Sequence, residues 1–285
     1  MVSRGPSRTV DIQVTNLKQL RSTTAELRQL FEKNITVRAV AEFDLWKADA
    51  AADGEVVREE MAAKDFDVAP VVDGTTIIGY VARDSLTPGP CGDQSRPITA
   101  AELIAESAPL LDLFAILRVD SWRFVLDRDE VAGIVARGDL RKAPARMYIF
   151  ALINLLEMQM DRIIRAHYGD EDWRIHLRPT RIEKALKLFE LRQQANEALH
   201  LLDCLQFCDK RDLVVRVPGI VEQLGFSDSN NALRVFRDIE ALRNRIAHAQ
   251  DMVEGITWTD LFNLSETMHR ILRRCEAIAS APTSG

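Results

Sequence analysis

The chain has 285 residues, room for about two domains, and its 47% hydrophobic and 28% charged residues suit a globular protein with buried cores. A formal net charge of −6 excludes a generally basic nucleic-acid coat, and no apolar run approaches the ~18 residues that a membrane-spanning helix needs. Four cysteines (Cys91, Cys204, Cys208, Cys275), two of them four residues apart, do not make a disulfide framework and point to a reducing, cytoplasmic setting.

Residues 1–34 read as an N-terminal segment whose start, "MVSRGPSRTVDIQV", lacks the apolar core of a secretory signal. A first repeat spans 35–86. Its helical "GEVVREEMAAKD" leads into "DVAPVVDGTTIIGYVARDSL" (67–86), where Asp73-Gly74 separates two apolar runs. That pattern predicts a strand, a tight turn, a second strand and a helix start. The Pro/Gly-rich "TPGPCGDQSRP" (87–97) is a linker candidate. A second repeat spans 98–142: "PLLDLFAILRV" precedes "SWRFVLDRDEVAGIVARGDL" (121–140), the same layout about 54 residues further on.

The phrases "APVVDGTTIIGYVARDSL" and "RFVLDRDEVAGIVARGDL" resemble the tandem CBS (cystathionine-β-synthase) domain pair. The resemblance implies an α+β fold of two βαββα repeats with an adenine nucleotide (AMP, ADP or ATP) as regulatory ligand in the cleft between them. In that family each copy closes with Gly-apolar-apolar-Ser/Thr-x-x-Asp, whose hydroxyl and carboxylate hold phosphate and ribose. The second copy keeps Gly133 and Asp139 but has Ala136 at the hydroxyl position; the first has Ala82 there and Ser85 in place of the aspartate. Carried over, Gly133 and Asp139 are nucleotide-binding residues, with Asp139 accepting from the ribose diol. Without the hydroxyls, phosphate falls to backbone N–H groups and to Arg137. Read without the family, Asp139 equally caps the helix that starts there, in a purely structural or dimerising pair.

Beyond residue 142 strand signals become rare. Apolar spacing of three and four predicts helices near 143–168, 180–208, 229–249 and 257–280, with a short one near 216–225, forming an all-α bundle over 143–282. Residues 1–144 hold 18 basic and 23 acidic residues, against 19 and 20 in 145–285, so a polyanion meets less repulsion in the second half. His200, Cys204 and Cys208 fall at i, i+4, i+8 of the second predicted helix, a spread of about 12 Å that no single tetrahedral metal bridges. Their cysteines read as buried small apolar residues. His167, His176 and His269 stand alone and read as surface or boundary residues. No phosphate-cradling glycine loop, zinc-protease motif or nucleophile elbow is present.

In "NALRVFRDIEALRNRIAHAQ" (231–250), Ala232, Val235, Phe236, Ile239, Leu242 and Ile246 fall within an arc of about 120°. Arg243 falls inside that arc, and a guanidinium there needs a carboxylate, carbonyls or a bound anion. Asn244 and His248 lie one turn apart on the adjoining side. An imidazole that moves the 2′-hydroxyl or 5′-oxygen proton, a cation for the pentacovalent phosphate and an orienting amide suit RNA cleavage. One histidine is not both base and acid, so a symmetric dimer is expected.

"RNRIAH" (243–248) resembles the Arg-Asn-x-x-x-His motif of HEPN domains. The resemblance implies a homodimeric, metal-independent endoribonuclease of toxin–antitoxin or antiviral-defence type, needing no cofactor for catalysis. Its catalytic residues would be Arg243 and His248, supported by Asn244, with RNA as substrate and a neutralising protein as a further partner. The alternative is a non-catalytic nucleotide-sensing or scaffold protein, in which Arg243 pairs with Glu157 or Asp161 and His248 merely favours a helix C-terminus.

Overall fold

A computed structural model describes residues 24–169, 171–195 and 200–280; expectations for 1–23, 196–199 and 281–282 lie outside the described residues. After helix α1 (Thr24–Asn34) come two sheets of three strands. The first holds β1 (Ala48–Asp49), β2 (Val68–Asp73) and β3 (Thr76–Ala82), with helix α2 (Gly54–Ala63) as the crossover between β1 and β2. The second holds β4 (Leu103–Ala105), helix α3 (Leu110–Val119), β5 (Trp122–Asp127) and β6 (Glu130–Ala136).

The two hairpins are superposable in register. Val68 faces Ala82 and Asp73 faces Thr76 in the first; Trp122 faces Ala136 and Asp127 faces Glu130 in the second, each 54 positions on. Both carry an irregularity at the same place, between Val71 and Val72 and between Val125 and Leu126. Both turns put their first loop residue at positive φ: Gly74 at 61° and Arg128 at 56°. Glycine fits there freely, whereas arginine is strained.

The repeats also exchange edges. Glu42, ahead of β1, pairs with Ile134 of β6, while Arg96, ahead of β4, pairs with Tyr80 of β3. The strand residues beside these bridges are Gly133 and Gly79. A Cβ on Gly133 would lie 2.5 Å from the Glu42 carbonyl oxygen, and one on Gly79 would lie 2.4 Å from that of Arg96. Glycine stands at both positions because another backbone passes over it. Tyr80, Trp122 and Phe124 meet edge-on at centroid distances of 5.0–5.8 Å and lock the two sheets together.

The closing helix expected of each βαββα unit is missing from the first. Arg83–Ser85 makes one 3₁₀ turn, and Pro88 and Pro90 prevent its continuation. The stretch read as a linker is instead stitched into the first copy. Gly54 N donates to Gly89 O, Cys91 N to Ala52 O and Gly92 N to Ala50 O, each at 2.8 Å, and Cys91 is fully buried. In the second copy a 3₁₀ turn, Arg137–Arg141, runs into α4 (Ala143–Tyr168).

The bundle comprises α4, α5 (Pro179–Gln194), α6 (Phe207–Val214), α7 (Ile220–Gln223), α8 (Ser229–Ala247) and α9 (Trp258–Ser280). Helix α4 packs against α1, α6, α8 and α9. Helix α1 is fastened to α9 by Arg28, whose guanidinium meets Glu276 at 3.0 Å and Glu32 at 2.9 Å, so part of the N-terminal segment packs with the bundle. Phe114 of α3 contacts Tyr148 and Phe262, each at 5.8 Å, so the second repeat and the bundle share one apolar core. The first repeat has a separate small core of Ala48, Val57, Met61, Ala69, Val71, Val81, Leu86 and Cys91.

The continuous helix expected over 180–208 is not observed. It ends at Gln194; Leu201–Cys204 forms a 3₁₀ turn, and α6 begins at Phe207. Asp203 and Asp209 accept from the backbone N–H three residues earlier, His200 at 2.9 Å and Gln206 at 3.2 Å, and so start new turns. His200, Cys204 and Cys208 therefore share no helix face. His269 is another correction, since it is buried rather than on a surface or boundary. Tyr148 OH meets its Nε2 at 2.9 Å and Glu32 faces its Nδ1 at 3.3 Å, with the Glu32 charge already met by Arg28. Burial, with Arg273 and Arg28 nearby, pulls its pKa down to about 4, so a neutral ring accepts from Tyr148 and donates to Glu32.

Candidate functional site

Two places stand out. The first is a cavity of about 490 Å³ between the repeats. Its walls come from the incoming segment (Glu42, Asp44, Trp46), the start of β2 (Asp65, Phe66, Asp67), the start of β5 (Ser121, Trp122) and the end of β6 (Ile134, Ala136, Asp139). Aromatic faces with a few carboxylates suit a flat heterocycle bearing hydroxyls. Asp139 is thus placed where the sequence reading needs it, but it already has partners. One oxygen accepts from Ala136 N at 2.7 Å, as the cap reading expects, and the other meets Lys142 Nζ at 2.9 Å. Lys142 also donates to Val40 O at 2.6 Å and reaches Glu42. Burial works to lower the Lys142 pKa, but its hydrogen bonds to Glu42 and Asp139 outweigh that and raise it, so it stays an ammonium.

Gly133 and Arg137 do not line this cavity. Gly133 serves the close passage of Glu42. Arg137 caps α3, donating from Nε to Leu117 O at 2.7 Å and from Nη2 to Arg118 O at 3.3 Å. The cavity lining carries five carboxylates (Glu42, Asp44, Asp65, Asp67, Asp139) and no lysine or arginine. The adjacent cations are engaged: Lys142 as described, and Arg83 with Asp67 at 2.8 Å. Sequence reasoning missed the aromatic walls Trp46, Phe66 and Trp122. Each sits at or just before a strand start, the one signal that marks them.

The second place is the end of α8. Asp228 starts the helix by accepting from Asn231 N at 2.8 Å, and Ala232, Phe236, Ile239 and Leu242 are buried as the helical arc requires. Arg243 is half-buried. Its Nε is shielded from solvent with no hydrogen-bond partner, and its Nη1 is 3.4 Å from the Asn244 side-chain oxygen. Among the described residues no carboxylate pairs with it. The two proposed in the alternative reading are taken: Lys210, only 3% exposed, meets Glu157 at 2.9 Å and Asp161 at 3.0 Å. Burial lowers the Lys210 pKa, but Asp161 and Glu157 outweigh that and raise it, so those carboxylates are committed.

His248 caps the C-terminus of α8 and its side chain is exposed. The helix closes with Ala249 N donating to Ile246 O at 3.1 Å and Gln250 N to Arg245 O at 2.9 Å. Ala249 takes φ 57°, the left-handed conformation that this ending demands. Asn244 and His248 are one turn apart, joined through His248 N–H to Asn244 O at 3.0 Å. Arg243, with no anionic partner among the described residues, thus meets the Asn244 amide, and Asn244 lies one helical turn before the exposed His248.

No family model matches the chain, and no curated protein matches it. Among solved structures it is similar to the CBS domain of a bacterial CNNM/CorC family Mg²⁺ transporter in complex with ATP, at 16% identity over 40% of this chain and 89% of that one, with a TM-score of 0.34. It is also similar to CBSX2 of Arabidopsis thaliana in complex with AMP, at 19% identity over 39% of this chain and 97% of that one, TM-score 0.34. A CBS domain protein of unknown function from Thermoplasma acidophilum matches at 16% identity over 42% of this chain and 75% of that one, TM-score 0.33. The described residues contain no helix long and apolar enough to cross a membrane. These likenesses concern about two fifths of the chain.

Proposed function

We propose that this protein is a ligand-controlled, metal-independent endoribonuclease: a CBS-type repeat pair senses an adenine nucleotide, and a HEPN-type bundle cleaves RNA. The observation that carries the reading is Arg243, a half-buried guanidinium with a shielded Nε and no acidic partner among the described residues. A guanidinium cannot discharge, so a phosphate is the natural anion for this edge. In the reaction the 2′-oxygen attacks the adjacent phosphorus and the P–O5′ bond breaks, leaving a 2′,3′-cyclic phosphate and a 5′-hydroxyl. One imidazole takes the 2′-hydroxyl proton and a second gives a proton to the 5′-oxygen. His248 supplies one and His248 of the partner subunit the other, in a twofold dimer that puts both edges on one RNA strand. Arg243 stabilises the dianionic phosphorane, and Asn244 holds His248 or a phosphate oxygen. Such chemistry suits a toxin or antiviral-defence effector held in check by a neutralising protein, in the cytoplasm.

The adenine nucleotide enters between Trp46, Phe66 and Trp122, with its ribose hydroxyls donating to Asp139. Five lining carboxylates oppose phosphate, so affinity falls from AMP to ADP to ATP. Incubating the protein with labelled RNA in EDTA, with and without AMP, tests the reading. Cleavage should fall about 10²–10³-fold in His248→Ala and in Arg243→Ala. If wild type leaves RNA intact under every nucleotide condition, the chain is instead a non-catalytic nucleotide-sensing scaffold.

A further inference from the structure

The turn that carries His248 is gripped from outside its own helix. Arg146, on the first turn of α4, donates to Gln250 O at 2.6 Å and to Ile246 O at 3.2 Å, the carbonyls on either side of His248. Arg141 meets Asp251 at 2.9 Å and lies 4.9 Å above the Trp258 ring at the start of α9. Between these two arginines in sequence stands Lys142, whose ammonium bonds Asp139 and Glu42, both in the cavity wall. Within residues 139–146 the chain therefore supplies Asp139 to the cavity wall, bonds two wall residues through Lys142, and grips the His248 turn through Arg141 and Arg146.

We propose that Arg141 and Arg146 are positioning residues that tie the His248 turn to the Asp139–Lys142 corner of the inter-repeat cavity, so that occupancy of the cavity sets where His248 stands. The proposal rests on the reading of His248 as the reactive imidazole and names the regulation of that site. The two-state element is the Asp139 carboxylate. Empty, its outer oxygen belongs to Lys142; with a ribose diol present, that oxygen accepts from the ligand instead, and Lys142 keeps only Glu42 and Val40 O. Lys142 joins the 3₁₀ turn Arg137–Arg141 directly to α4, so a shift at Lys142 moves the bases of Arg141 and Arg146 together. Their side chains pass it to Asp251, Gln250 and Ile246. This is a chain of direct hydrogen bonds and ion pairs, not mere proximity between two sites.

The test needs neither a bound nucleotide nor a working nuclease. In the full-length protein, the histidine ring resonances are recorded by NMR, with that of His248 assigned by its loss in His248→Gln. Amide exchange over residues 248–251 is followed in parallel. Asp139→Asn, which loosens Lys142 without changing side-chain size, should shift the His248 resonance. In an Arg141→Gln/Arg146→Gln background the same substitution should add nothing. Arg146→Gln alone should speed exchange at 248–251 at least tenfold while the middle of α9 stays protected, and Arg146→Lys should restore part of that protection. An Asp139→Asn shift that is equal in both backgrounds, or absent in the first, overturns the tether. RNA cleavage that persists in that case leaves the nuclease standing without it; a coupled resonance without cleavage keeps the tether and removes the nuclease.

Discussion

Residues 68–82 and 122–136 form the same hairpin down to its irregularity, yet the first lies on a small core of its own and the second on a core shared with six helices. The difference begins after the last strand. In the first copy, prolines stop the chain after one turn, and residues 87–97 fold back to seal the sheet. In the second, the equivalent turn opens into the 26 residues of α4, the helix that most of the bundle packs around. A repeated backbone pattern thus fixes the sheets, while the residues just beyond it decide that only the second copy is mechanically continuous with the bundle.

Cavity-making substitutions break that comparison most forcefully. Leu117 of α3 and Met61 of α2 are both fully buried, and truncating either to alanine should cost about 2–5 kcal/mol. Leu117→Ala should lower the melting of the second repeat and the bundle together. Met61→Ala should release the first repeat in an earlier, separate transition that hydrogen exchange localises to residues 48–92. One shared transition shifted equally by both would show that the cores are not distinct.

Acid separates the same two regions. All five histidines lie outside the first repeat, and His269 is the buried one in the bundle. Its folded pKa of about 4 lies below the ordinary value of 6.5. Between these values the unfolded chain binds a proton that the folded chain refuses, so stability falls as pH drops through that window. The loss amounts to roughly 3 kcal/mol by the lower end. Denaturant melts should show it in the bundle, and His269→Gln should flatten it; an unchanged pH slope in that variant would remove His269 as the cause.

The hairpin turns give the smallest contrast. Arg128 occupies the left-handed position that Gly74 fills in the first copy. Arg128→Gly should stabilise by about 0.5–1 kcal/mol, and Gly74→Arg should destabilise by a similar amount, measured by urea midpoints. Equal and negligible effects would mean that the turns adapt freely.

Much of this was readable in the sequence because it rests on local rules. The hairpins follow from alternating runs around "DG" and "RD", and the helices at 143–168, 229–247 and 258–280 from their three- and four-residue spacing. The half-buried place of Arg243 follows from rotation about α8 alone. What escaped depends on partners far away in the chain. The break after Gln194 hinges on Asp203 and Asp209 capping new turns, which nothing in "LHLLDCLQFCDKRD" announces by glycine or proline. His269 is buried because Tyr148 and Glu32, on two other helices, meet both ring nitrogens. The first glycine of the second closing phrase, Gly133, has a backbone passing over it, a reason visible only once Glu42 is seen on β6. Trp46, Phe66 and Trp122 converge from three segments, so no local motif could gather them.

The chemistry assigned to Arg243 and His248 is tested most directly by the ends of the RNA fragments. Wild-type protein in EDTA should yield fragments ending in 2′,3′-cyclic phosphate and beginning with 5′-hydroxyl, and His248→Ala should yield about 10²–10³-fold fewer. Fragments bearing 5′-phosphate, or cyclic ends produced equally well by His248→Ala, would contradict that assignment.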